Sequence, residues 1–425
     1  MAPRGPSRAM RECLGFAVCD GGFPCAYVMK TEPVRILFVH HNSDMYGSSR
    51  CLLHLLANLD RNRVTPLVAL AEDGSLREAI GKLDIEVFIH PSLSVITRPV
   101  FESWRLLPFL LKIPLAAWQL RTLIRRWQIQ LVHTNIGVAV SSGLAAWLAG
   151  VPHVWHMREW FQEFGALWPV YSRYILWLSD AVVCMSSAVA GQFPRSPKVV
   201  VIHDGLDVAG FAISKKELRG DFRARYQLGN AFVVGCVGRI KLVRKGQEVL
   251  IKAAALLRDR GRRAKFVLVG APSPGNEEHL AVIKKLVSDL KLSGDVIFTG
   301  EMVDPRPAYA AMDIAVLTSA QPEPWGLVVL EAMCMRVPVI ATNIGGPVEM
   351  ITDGQTGFLV PPADPNALAD RIELLMTDPE LRSRLVGIGP KHVRENFPVQ
   401  NTARQMETVF ISILSKSLSV PRARN

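Results

Sequence analysis

The sequence predicts an α/β protein built from two Rossmann-like domains that face one another across a cleft. Three observations carry that expectation. Apolar runs of four to seven residues recur at helix-length intervals, and continuous apolar strands alternating with helices belong to parallel sheets covered on both faces. The runs fall into two series separated by a polar, charged stretch. Each series opens in the same way, with a strand, a polar loop containing glycine, and a helix.

In chain order, residues 1–33 come first. Their apolar run LGFAV is too short for a signal peptide, so they read as a disordered leader or as a misassigned start upstream of Met29. The N-terminal domain, 34–206, holds the strands VRILFVH, TPLVALA, IEVFIH, IQLVHTN, VPHVWHM, AVVCMS and KVVVIHDG, with the loop HNSDMYGSSR between its first strand and first helix. Residues 207–230, DVAGFAISKKELRGDFRARYQLGN, are polar and helical at best, and read as the linker. The C-terminal domain, 231–396, holds AFVVGCVGR, KFVLVG, DVIFTG, DIAVLTS and VPVIATN, with the loop IKLVRKG ahead of QEVLIKAAALL. Residues 397–418 form one more amphipathic helix, placed to pack back on the N-terminal domain.

Composition narrows the function. With 425 residues and 49% hydrophobic content the chain can bury two cores. No run reaches the roughly 18–20 apolar residues of a membrane-spanning helix. Seven cysteines without C-x-x-C spacing indicate neither a zinc site nor a disulfide framework and fit a reducing, cytosolic setting. A net charge of +11 suits anionic partners. Nucleic acid is not among them, because zinc-finger spacing, an RNP-like aromatic signature and a long basic arm are all missing.

The stretch PEPWGLVVLEAM carries the chemistry. Glu331 lies in an apolar run where an unpaired carboxylate would cost several kcal/mol. Glu323 sits eight positions earlier in polar sequence. The helix is expected to start near Trp325–Gly326, with Pro324 in its first turn. That would leave the backbone N–H groups of Trp325, Gly326 and Leu327 as a phosphate or hydroxyl cradle. A helix-stabilising pair of carboxylates would have the same spacing. Arg239 and Lys245, in and after the loop that follows VVGCVG, would supply counter-charge for a diphosphate, unless IKLVRKG is only a solvated basic turn. Neither opening loop matches G-x-G-x-x-G or a Walker motif. D-x-D is absent from the chain, so no metal and no other cofactor is expected.

GRIKLVRKGQEVLI, EPWGLVVLEAM, VPVIATNIGGPVEMI and DGQTGFLVPPAD, in that order, resemble the retaining glycosyltransferases of family 4, which have the GT-B fold. DMYGSSRCLLHLL resembles that family's Gly-rich loop, and LVHTN with VPHVWHMRE its later strands. The resemblance runs from about Val34 to the final helix. It implies that Glu331 takes ribose hydroxyls and Glu323 the hydroxyls of the donor sugar, while Arg239 and Lys245 neutralise the departing diphosphate. Gly47 and Ser48 would bring the first loop to the same phosphates, and His156 would line the donor sugar pocket, although a lone histidine at a strand end is more often structural. The chain departs from the pattern at Ser48, at Asp204 where asparagine is usual, and at Arg336 where glycine is typical.

The implied reaction moves a sugar from a nucleoside diphosphate to an acceptor hydroxyl, on a glycan or lipid-linked glycan, with retention. It would proceed by a front-face mechanism, as in polysaccharide biosynthesis. The alternatives are another GT-B enzyme, such as a nucleotide-sugar epimerase, and a catalytically silent GT-B binding protein. Residues 101–127, FESWRLLPFLLKIPLAAWQLRTLIRRW, suit either an interfacial helix on an anionic membrane surface or a domain-packing helix pair broken at Pro108 and Pro114. The expected location is cytoplasmic, with a peripheral place on the cytoplasmic face of the membrane as the further option.

Overall fold

Seven apolar runs of the first half pair into one parallel sheet. They are β1 (Val34–His40), β2 (Val64–Leu70), β3 (Glu86–Ile89), β4 (Leu131–Thr134), β5 (His153–Met157), β6 (Ala181–Cys184) and β7 (Val199–Val201), in the spatial order β3-β2-β1-β4-β5-β6-β7. The second half builds a parallel sheet from β8 (Val233–Val237), β9 (Lys265–Val269), β10 (Val296–Gly300), β11 (Ile314–Leu317), β12 (Val339–Thr342) and β13 (Phe358–Val360), in the order β10-β9-β8-β11-β12-β13. This is a computed structural model, and it describes residues 32–91, 93, 95, 106–161, 165, 167–211, 213 and 215–419. Apart from Glu32 and Pro33, the leader lies outside the described residues.

The unbroken apolar run of β1 follows from burial on both faces. Ile36 and Phe38 enter one core and Leu37 and Val39 another, as the two-residue repeat of a strand requires. In each sheet the strand order reverses once, between β1 and β4 and between β8 and β11. Ligands of open α/β sheets bind outside the carboxyl ends of strands at such a switch point.

The helices that matter below are α1 (Gly47–Asn58), α2 (Leu106–Arg126), α3 (Ser141–Ala149), α4 (Trp168–Leu178), α5 (Lys215–Arg225), α6 (Gln247–Asp259), α7 (Leu327–Cys334) and α8 (Val399–Ser419). The chain crosses between the sheets twice, side by side. Leu206 donates its N–H to Phe397 O (2.9 Å) and Val399 donates to Leu206 O (3.1 Å). A Cβ on Gly205 would stand 2.6 Å from the Pro398 backbone, so only glycine permits this crossing. After it, α8 buries Ala403, Met406 and Phe410 against Phe38, Leu52 and Leu55 of the first half. Its buried Glu407 accepts from Asp60 N–H (2.8 Å) and Arg63 Nη1 (2.9 Å).

Two expectations are corrected. The stretch read as a linker contains α5, docked on the second half. Arg219 and Arg223 both bond Asp313 at 2.9 Å and donate to the carbonyls of Ala310 and Ala311, where a short helix ends. Orphan carbonyls at a helix end attract such cations, so a charged sequence need not be solvated. Second, α2 runs unbroken through Pro108 and Pro114. Pro108 falls in the first turn, where no intrahelical donor is needed. Pro114 costs about 3 kcal/mol in a helix interior. Burial of Ile113, Leu120 and Ile124 outweighs it, at about 1.5–3 kcal/mol each.

Arg336, flagged where glycine is typical, has φ +56°. Left-handed backbone costs an L-residue about 1 kcal/mol relative to glycine. Arg336→Gly is therefore expected to stabilise the fold by about that amount, read as a higher denaturation midpoint. An unchanged or lower midpoint would show that the arginine side chain repays its backbone.

Candidate active site

The loops that follow β1, β5, β8 and β11 converge between the two halves, at or beside both switch points. From the second half, the loop after β8 carries Arg239 and Lys245. Gly246 ends it with φ +62°, and a Cβ there would stand 1.9 Å from Thr318 O. That close approach, with the Thr318 hydroxyl donating to Lys245 O (2.9 Å), clamps the loop to the end of β11. Lys245 Nζ consequently lies 2.5 Å from Glu323 Oε2, which also accepts from Ser319 Oγ at 2.9 Å. Burial alone would raise the Glu323 carboxyl. The Lys245 ammonium and the two hydrogen bonds outweigh it and hold the group below its ordinary value, so Glu323 is ionised.

Glu323 is held by backbone as well. Its carbonyl accepts from Gly346 N–H (2.8 Å) in a bridge to Gly345. A Cβ on Gly345 would meet Glu323 O at 2.1 Å, and one on Gly346 would meet Trp325 Cα at 2.5 Å. The Gly-Gly downstream of the glutamates thus acts by letting one loop lie flat on the Glu323–Trp325 backbone. Gly346→Ala is expected to push that backbone away and weaken nucleotide-sugar binding at least about tenfold, in a protein that still folds. Calorimetric titration beside a circular dichroism melt would test it, and unchanged affinity would refute it.

This bridge corrects the expected place of Pro324. The chain bends at Pro324 and turns at Gly326 (φ +94°), the N-cap, so α7 begins at Leu327, beside the expected start, and it is Pro324 that stands outside the first turn. The Trp325 side chain turns into the core between the halves, where its indole N–H donates to Asp204 O (2.9 Å) and its ring stacks on His203 at 4.7 Å. The backbone N–H groups of Trp325, Gly326 and Leu327 have no hydrogen-bond partner among the described residues.

Glu331, one turn into α7, is 1% exposed. It meets protein groups that the sequence did not single out. Tyr309 donates its hydroxyl to Oε2 (2.9 Å), and Arg50 Nη2 of α1 lies 2.7 Å from Oε1. The Arg50 contact is a short ion pair, and a carboxylate oxygen keeps a second lone pair, so Oε1 can still accept. Arg239 also reaches across, with Nη2 3.4 Å from Asp44 Oδ2 and its guanidinium 3.5 Å from the centre of the Tyr46 ring. Gly47 and Ser48 follow at the start of α1, and no atom lies within 4 Å of where a Gly47 Cβ would be. Arg244 acts electrostatically on both Glu323 and Glu159.

Behind these loops lies a buried polar network. Arg158, 2% exposed in its side chain, pairs with the equally buried Asp204. Its Nε donates to Asn135 Oδ1 (3.1 Å), and its Nη2 lies 3.3 Å from Nδ1 of His156. Asp204 at the asparagine position is thereby explained, since only an acid offsets Arg158. His156 is fully buried rather than open to the cleft, and its Nε2 lacks a partner, as do both nitrogens of His133, 5.5 Å away ring to ring.

Burial, assisted by the Arg158 charge, pushes His40, His133 and His156 well below their ordinary 6.5. A histidine lowered in the folded state stabilises it above the unfolded value, and that stability is lost as pH falls through 6.5 because only the unfolded chain takes up the proton. The unfolding free energy is expected to fall between about pH 7.5 and 5.5, and less steeply in His133→Phe, which removes one such group. Equal slopes in denaturant titrations of the two proteins would contradict this.

Residues 219–392 match the glycosyl transferases group 1 family and residues 45–209 match glycosyltransferase family 4. The lipopolysaccharide core biosynthesis mannosyltransferase LpcC of Rhizobium leguminosarum bv. viciae is 31% identical over 252 residues, which cover 59% of this chain and 69% of that protein. The chain belongs to the group 1 glycosyltransferases. A second relative of this glycosyltransferase, the D-inositol 3-phosphate glycosyltransferase of Corynebacterium urealyticum, is 32% identical over 55% of this chain; the match spans 56% of that relative's length. Anabaena Alr3699/HepE, solved in complex with UDP and glucose, superposes with a TM-score of 0.75 at 25% identity, covering 89% of this glycosyltransferase and 100% of that chain. The fold is GT-B, two parallel-sheet α/β halves with the cleft between them.

Proposed function

We propose that the protein is a retaining, metal-independent glycosyltransferase that moves a sugar from a nucleoside diphosphate to a hydroxyl of a glycan or lipid-linked glycan. The single observation that carries this reading is the Lys245–Glu323 pair, a fixed cation and an ionised carboxylate 2.5 Å apart at the end of β11. Lys245, Arg239 and Arg244 face the diphosphate, and Glu323 accepts from donor-sugar hydroxyls. Glu331 Oε1 accepts from the ribose, and the free N–H groups at the start of α7 meet phosphate oxygens. His156, buried behind the cleft and held by Arg158, supports the wall of the donor pocket instead of bonding the sugar.

The bond from the anomeric carbon to the phosphate oxygen breaks as the acceptor oxygen bonds that carbon from the same face. The acceptor proton passes to the departing phosphate oxygen, so configuration is retained without a protein nucleophile. Clustered cations stabilise the leaving group. HepE binds UDP, and a relative from Mycolicibacterium smegmatis is named as GDP-mannose-dependent, so the base is a matter for titration. The protein acts from the cytoplasm, at the face of the membrane.

Calorimetric titration with UDP, GDP, ADP and CDP, beside Glu331→Ala, tests the reading. One diphosphate should bind preferentially, at least about tenfold more weakly in the variant. Turnover with an acceptor should be insensitive to chelator. No binding by any of the four to a folded sample would point to a silent scaffold, and acceptor-free release of nucleotide to an epimerase.

A further inference from the structure

Helices α2, α3 and α4 lie side by side on the outside of the N-terminal half. Arg121 of α2 donates to Leu148 O of α3 (3.1 Å), and the rings of Trp147 on α3 and Trp177 on α4 are 6.0 Å apart. The inward stripe of α2, Ile113, Ala116, Ala117, Leu120 and Ile124, is buried, as an amphipathic helix requires. Its outward ridge is apolar too. Leu111 and Leu115 are 73% and 58% exposed, and Trp118, Trp147 and Trp177 are 57%, 51% and 64% exposed. Monomeric soluble proteins rarely expose this many large apolar side chains on one group of adjacent helices. The three helices carry five cations, Lys112, Arg121, Arg125, Arg126 and Arg173, and no aspartate or glutamate.

We propose that this face docks on an anionic phospholipid bilayer, with Trp118, Trp147 and Trp177 in the headgroup layer and the arginines against lipid phosphates. Tryptophan favours the membrane–water interface, and long cationic side chains reach from an apolar stem to the headgroups. A protein partner would more often answer five cations with carboxylates across a close-packed seam, whereas a lipid surface meets diffuse positive charge with diffuse negative charge. None of the helices is long and apolar enough to cross the bilayer, so the contact is peripheral. This inference rests on the peripheral placement proposed above but not on the transfer chemistry.

The test is flotation of the full chain with vesicles of phosphatidylcholine alone or with about 30% phosphatidylglycerol. Binding to the anionic vesicles only is expected, weakened by salt. It should fall at least about tenfold in Trp118→Ser/Trp147→Ser/Trp177→Ser and separately in Arg125→Glu/Arg126→Glu. Both variants should bind nucleoside diphosphate as the parent does, which shows them folded. Nucleotide binding without flotation of the parent would overturn the docking face and leave the transferase reading intact. So would flotation that both variants retain, or a parent dimer that the tryptophan variant abolishes, since the face would then be covered by a second copy. Flotation without nucleotide binding by the parent would instead sink the transferase reading.

Discussion

Replacing Lys245 with alanine should slow sugar transfer about a hundred- to a thousandfold, the loss seen when one preorganised donor to a developing oxyanion is removed. The geometry gives the reason for so large an effect. Gly246 presses the loop onto Thr318 O, and Glu323 holds the ammonium at 2.5 Å, so the positive charge is in place before any diphosphate arrives. A preorganised charge costs no reorganisation during the reaction. The loss should therefore appear in kcat more than in KM. Lys245→Arg should recover little, because a planar guanidinium cannot occupy the point position that Glu323 and the clamped loop define. Glu323→Gln should also be severely impaired, and the double substitution little worse than either, since the two groups act as a unit. A Lys245→Ala enzyme within threefold of the parent would sink the assignment and leave the phosphate charge to Arg239 and Arg244.

What could be read from the sequence and what could not divide along a physical line. The strands were legible because each is buried on both faces and so is apolar without interruption, as in Ile36–Val39. β13 escaped because its three residues, Phe358–Val360, stand between the turn-forming DGQTG and PPAD and so read as loop. Lys245 and Glu323 were legible because each sits in a short motif whose glycines, Gly246 and Gly345–Gly346, have a local packing reason. The partners were not. Glu331 announced that it needed one, but nothing in its neighbourhood pointed to Arg50 on α1 or Tyr309. The matching signal was Arg50 itself, a cation among the leucines of SSRCLLHLL. Arg239 with Asp44 and Arg158 with Asp204 are likewise long-range pairs, the first set by how the two halves meet and the second by how the loops of one half close on each other, and neither by any spacing along the chain. The same cause explains α5, whose arginines looked solvated until the carbonyls they cap were in view.

Those cross-cleft pairs also bear on how the enzyme works. Arg50 with Glu331 and Arg239 with Asp44 each join one half to the other through groups that the donor would claim. On the proposed function a nucleotide-sugar entering the cleft would meet both contacts, so domain opening and donor binding would be coupled. Arg50 therefore connects the start of α1 in the first half to Glu331 of the second, the carboxylate proposed to take the ribose. This role for the first residues of α1 goes beyond letting backbone approach phosphate.

Asp204→Ala should be the most destabilising single change in the N-terminal half, at about 3–5 kcal/mol, because it strands a buried arginine. Arg158 is 2% exposed in its side chain, and its guanidinium otherwise meets Asn135 Oδ1, which accepts one hydrogen bond, and His156, held neutral at ordinary pH by burial. The nearby Glu159 carboxyl is pushed up to about 7 by burial and answers the charge only in part. None of the three replaces the direct pairing with Asp204. Asp204→Asn, which restores the residue usual in the family, should lose less but still substantially, since a neutral amide leaves the guanidinium uncompensated. Replacing both partners, as in Arg158→Met with Asp204→Asn, should recover most of the loss, because an apolar filler in place of a buried pair is often neutral. The Trp325 bond to Asp204 uses the backbone carbonyl and survives every one of these changes, so a fall in midpoint reports the ion pair rather than a loosened join between the halves. The double variant also separates stability from catalysis. It should fold, yet it removes the Arg158 Nη2 contact that orients His156 Nδ1, so a stable protein with lowered kcat is expected. Full activity in that variant would show that His156 keeps its place, or its task, without Arg158. A loss below about 1 kcal/mol in Asp204→Ala would mean that the arginine finds water or another acid on its own.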